Sequence, residues 1–166
     1  MRPTRQACGV PAATACSRRT LYWETKMGRT LLGILAGLLS MWLVTWCIEF
    51  ASHALYPPPP GLDPRDMQSL GAILAAAPFA ALAMLVGAWL LGAFAGGFVA
   101  AKIARHPRAA ATIVALVTVL GVVAMIFLVP GHPVWVSALG VLLPVPLALL
   151  GARLARSKRA GIDRGS

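Results

Sequence analysis

Four stretches of this chain are long, apolar and almost free of charge, and they limit what it can fold into more than any other feature. They cover about residues 30–50, 79–101, 109–129 and 134–152. An α-helix rises 1.5 Å per residue, so about 20 apolar residues cross the hydrocarbon core of a bilayer. A single such stretch also suits the buried helix of a soluble protein. Four of them within 166 residues leave no polar faces for a water-soluble shell. The runs are apolar all round and do not alternate, which excludes a β-barrel. The sequence therefore predicts an all-α integral membrane protein, a four-helix transmembrane bundle running up-down-up-down.

Composition agrees. Charged residues make up 12% of the chain against about 25% in soluble domains, and the mean hydropathy is +0.76. A soluble enzyme, a disordered tail protein and a disulfide-stapled secreted domain are all excluded. The formal charge is +10, and its placement is one-sided. Arg2, Arg5, Arg18, Arg19, Lys26 and Arg29 precede the first stretch. Lys102, Arg105 and Arg108 lie between the second and third, and Arg153, Arg156, Lys158, Arg159 and Arg164 follow the fourth. Only Arg65, beside Asp63 and Asp66, falls in another connection. The positive-inside rule makes the basic side cytoplasmic, with both termini inside. Attraction to anionic lipid explains the same charges, and with no aromatic interleaving nucleic-acid binding is not expected.

Residues 1–26 are polar and basic, lack an apolar run of signal-peptide length, and are expected to be disordered or an extension upstream of a start at Met27. Cys8 and Cys16 fall on the reducing side and do not have zinc-site spacing. The membrane domain is read as residues 27–156, followed by a basic tail, 157–166.

Small residues allow close helix approach in lipid, where no hydrophobic force joins helices. Gly33 and Gly37 recur at this spacing in the first span. Ala88, Gly92, Gly96, Ala100 and Ala104 do so in the second, with Ala93, Gly97 and Ala101 alongside. This stripe suits either a homodimer interface or packing within one bundle. Pro144 and Pro146 predict a kink in the fourth span.

The long connection, 51–78, contains Pro57-Pro58-Pro59-Pro60-Gly61, which cannot be helix. Asp63 as N-cap and Pro64 at the first helical position then predict a short external helix. Its apolar face is Met67, Leu70, Ile73, Leu74 and Ala77, and it lies at the membrane interface or over the bundle. Trp42, Trp46, Glu49 and His53 share one helical face, and Glu49 stands about 28 Å along the axis from Thr30, near the outer boundary. Glu49, His53 and His132 form a candidate metal or proton site, or else a hydrogen-bonded cluster beneath an interfacial tryptophan belt. Cys47 reads as a small apolar residue. The sequence contains no phosphate loop, GxSxG elbow, CxxC or HExxH, so no catalytic residue and no cofactor is expected.

The pattern Glu49-x3-His53-x2-Tyr56-Pro57-x-Pro59-x-Gly61-x-Asp63, the glycine-rich second span and Pro130-Gly131-His132-Pro133-x-Trp135 together resemble small bacterial inner-membrane proteins of unassigned function with four helices. The likeness covers about residues 30–156. It implies a bacterial inner-membrane location and carries over no catalytic role. The expected function is structural or regulatory, by helix–helix association with a second copy or a larger membrane protein through the 88–104 stripe and the 56–77 loop. The alternative is a small transporter or channel subunit with a periplasm-facing Glu/His site.

Overall fold

The structure, a computed structural model, describes the backbone of residues 12–57, 59–63, 66–129 and 133–162. It describes side chains within 27–156, apart from 58, 64, 65, 67, 68 and 130–132. Every regular element among the described residues is helical: α1 (Ala12–Leu55), α2 (Met67–Ala76), α3 (Phe79–Ile103), α4 (Pro107–Leu128), α5 (Val134–Leu142) and α6 (Pro144–Ile162). Four segments are long and apolar enough to cross a membrane: Met27–Leu55, Phe79–Ile103, Pro107–Leu128 and Val134–Arg156. The chain is a multi-pass membrane protein by this measure.

The helix of the first span begins at Ala12, so residues 12–26, read as disordered or as an extension upstream of a start at Met27, are helical. No Gly or Pro interrupts residues 12–27, and Ala, Arg, Leu, Glu and Lys there are good helix formers; a polar segment needs no apolar face to extend a helix already begun. At the other terminus α6 runs on to Ile162, into the basic tail.

The fourth span is two helices rather than one. Pro144 has no N–H to return to the carbonyl of Gly140, and that rung of the helical ladder is lost, while the Leu143 N–H still reaches the Leu139 carbonyl. Leu143 itself stays near helical geometry (φ −87°, ψ −25°) and accepts a bond from the Leu147 N–H at 3.2 Å. The interruption is thus short, and it is held between protein surfaces, because Pro144 is fully buried while Pro146 is exposed.

α3 and α4 form the central pair. α1 packs against both from one side and α6 from the other. Gly33 meets Ala104, Gly37 meets Ala100, and Thr45 bonds to Ala88, so α1 and α3 are antiparallel. Trp89 lies against Gly140 and Ala101 against Ala155, so the α5–α6 span runs parallel to α3. The core grades along the bundle. At one end Leu82, Val86, Trp89, Val122 and Val136 pack together. Toward the other end the packed residues shrink to alanine, in the groups Ala93, Ala115, Ala148 and Ala101, Ala111, Ala152, Ala155. Helix axes can approach closely only where side chains are this small.

Candidate functional site

The small-residue stripe of α3 is covered within the chain. A Cβ placed on Gly37 would stand 2.7 Å from both Ala100 Cβ and the Gly96 carbonyl oxygen, and one on Gly33 would stand 2.8 Å from Ala104 Cβ. Gly96 in turn faces the Gly37 carbonyl and Met41, and Gly92 faces Thr45 and Met41. The Thr45 hydroxyl donates to the Ala88 carbonyl at 3.3 Å. Ala88, Gly92, Gly96, Ala100 and Ala104 are all buried. Of the two readings of the stripe, packing within one bundle is the one seen: α1 of the same chain covers it, and the expectation that residues 88–104 offer a contact surface for a second molecule is corrected.

Ala93, Gly97 and Ala101 form a second stripe on another side of α3, turned to α6. Gly97 abuts the Ala148 backbone, and Gly151 abuts the backbone of Phe94 and Phe98. One helix thus supports two backbone-to-backbone crossings. Thr118 is the one buried polar residue among those described. Its hydroxyl donates to the Val114 carbonyl at 2.9 Å, one turn back, with Met41 Sδ at 2.8 Å. No chain of buried polar side chains runs through the interior of the described bundle.

Glu49 and His53 lie one turn apart near the end of α1, Glu49 half-buried and His53 exposed. Together with Ser52 and Tyr56 they line one side of a cavity of about 300 Å³. Leu70, Ile73 and Leu74 of α2 and Leu82, Leu85 and Met125 of the spans are among the apolar residues that form the rest. Trp46 stands outside this lining and stacks on Phe50, with ring centroids 5.8 Å apart. His132, the third member of the sequence-derived cluster, lies outside the described residues. Among those described, no group of three or more His, Cys, Asp or Glu side chains is arranged to hold a metal ion.

α2 closes the cavity, and its start is built three residues later than the sequence predicts. Asp66 is the N-cap: its carboxylate accepts from the Ser69 N–H at 3.3 Å and the Ser69 hydroxyl at 2.9 Å, while its carbonyl accepts from the Leu70 N–H. Asp63 instead accepts from the Asp66 N–H at 3.1 Å through its carbonyl, in the preceding turn. An earlier turn brings the chain there: Leu62 N–H reaches the Pro59 carbonyl, and Gly61 takes φ +91°, a conformation glycine adopts without strain. Ser52 and Tyr56 were not singled out as a site by sequence, yet their spacing of three and seven from Glu49 already places them near its face.

The opposite end of the bundle gathers the basic residues. Arg29, Lys102, Arg105, Arg108, Arg153 and Arg156 all lie at or beside ends of the apolar spans that meet there, where Gly33 packs on Ala104 and Ala101 on Ala155. Lys102 Nζ sits 5.1 Å from the centroid of the Phe98 ring. No protein-family model matches the chain, and no curated protein or solved structure matches it.

Proposed function

We propose that this chain is a small bacterial inner-membrane protein with both termini cytoplasmic and α2 external, akin to small four-helix inner-membrane proteins of unassigned function. It acts structurally or in regulation, through helix–helix association with a second copy or a larger membrane protein. The observation that carries the association is the outer flank of α1. Leu32, Leu35, Leu39, Trp42 and Trp46 are each more than half exposed. They recur at spacings of 3, 4, 3 and 4, the seam along which one helix accepts another. α1 is also the least covered of the four spans, with 11% of its apolar window buried against 28–44% for the others. The orientation draws support from the basic cluster at one end of the bundle and its scarcity at the other.

The test is pull-down from native membranes with mass spectrometry, joined to photo-cross-linking from positions 35 and 39. A defined partner or second copy cross-linked through those positions is expected. A monomer with neither partner nor cross-link would sink the association. Thiol labelling of Gly61→Cys from outside the cell, but not of His106→Cys, tests the orientation. The alternative, a small transporter or channel subunit, is favoured by the Glu49/His53 cavity and disfavoured by the apolar bundle interior. Solute flux in liposomes containing the pure protein would establish it.

A further inference from the structure

The cavity beneath α2 has a chemistry that the association through α1 leaves unused. Its walls divide by origin. Glu49, Ser52, His53 and Tyr56 supply every ionisable or hydroxyl group in the described lining, and all four come from the last turns of α1 and its exit. The facing walls are hydrocarbon from α2, α3 and α4. The space is therefore amphipathic, polar on the wall from α1 and its exit and apolar on the walls from α2, α3 and α4.

Charge narrows the occupant. The described lining holds the Glu49 carboxylate and no Lys or Arg. An anionic head would find no fixed counter-charge there and would face a like charge, whereas an ammonium head would pair with Glu49. Pairing matters because a charge held against apolar walls is costly unless matched by its opposite and hydrogen-bonded. Size narrows it again. A volume of about 300 Å³ is at the lower end for small-molecule pockets, which suits one hydrocarbon chain rather than two. Leu82, Leu85 and Met125, like Glu49, belong to segments long and apolar enough to cross a membrane, which puts the cavity within reach of an amphiphile from the bilayer.

We propose that this cavity binds a single-chain amphiphile with a primary-amine head, drawn from the bilayer, its ammonium held by Glu49 and its chain lying between α2 and the α3–α4 pair. His53, exposed at the mouth, and the hydroxyls of Ser52 and Tyr56 offer hydrogen-bonding partners to the remainder of the head.

The experiment uses the full chain in phosphatidylcholine vesicles. Three twelve-carbon probes, each with a diazirine at the chain end, carry an amine, an alcohol or a carboxylic acid head. After irradiation, adducts are mapped by mass spectrometry. The amine is expected to label peptides containing Leu74, Leu82 or Met125 at least about tenfold more than the acid, and Glu49→Gln to remove that preference. Ile73→Trp, which fills the cavity by a substitution in the short helix and leaves the span residues unaltered, is expected to abolish labelling by all three at these peptides. Equal labelling by the three probes overturns the proposal, as does amine labelling that survives Glu49→Gln or Ile73→Trp unchanged.

Discussion

Gly97 of α3 and Ala148 of α6 meet backbone to backbone, the Ala148 carbonyl lying where a side chain on residue 97 would go. Even a methyl group forces the two helices apart. Gly97→Ala is expected to cost about 1–3 kcal/mol, the usual range for overpacking, read as a lowered unfolding midpoint in detergent. Gly121 has nothing within 4 Å of its would-be Cβ, and Gly121→Ala is expected to leave stability unchanged or slightly raised. Equal losses at the two positions would refute the close crossing.

Gly140 presents the same problem to an aromatic ring. A Cβ there would stand 2.8 Å from two carbons of the Trp89 indole and 2.9 Å from Val122 Cγ1. Gly140→Ala is expected to destabilise the wild-type background more than a Trp89→Leu background. The coupling in a double-mutant cycle should fall within about 0.5–3 kcal/mol. A coupling of zero would mean the ring is not seated there.

Thr118 should matter less than its burial suggests. Its hydroxyl bonds within its own helix and touches Met41 of α1, and interhelical hydrogen bonds in membranes average about 0.6 kcal/mol. Thr118→Val keeps the shape and is expected to cost about that much by reversible unfolding. A loss above about 2 kcal/mol would show the contact to be worth more than a typical one.

Asp66→Ala removes the cap of α2 and loosens the helix that covers the cavity. The expected cost is about 1 kcal/mol, confined to α2. Hydrogen exchange at its amides should quicken about fivefold while α3 and α4 keep their protection. A uniform change across the chain would place the role of Asp66 elsewhere.

The spans were legible because crossing a bilayer demands a length of apolar chain, and length is written directly in sequence. The small-residue faces of α3 were legible for the same kind of reason, but not what covers them. Periodicity shows that Gly92 and Gly96 share a side, and nothing in that spacing says whether Met41 of α1 or a second molecule fills it. The cap of α2 was misplaced because Asp63 and Asp66 both precede the apolar run, and Pro64 favoured the earlier one. The cavity was hidden for a different reason: Glu49, Leu74, Leu82 and Met125 lie far apart along the chain, and only the antiparallel return of α3 and the fold-back of α2 unite them.

The pairing of Gly33 with Ala104 has a consequence for biogenesis. The chain emerges from the ribosome amino terminus first, and Ala104 follows Gly33 by roughly 70 residues, on the order of 4–14 s at 5–20 residues per second. Through that interval the first helix waits in lipid with its glycine notch unfilled, open to any neighbouring helix with a small-residue face. The speed with which translation delivers α3 thus sets how long that notch stays open.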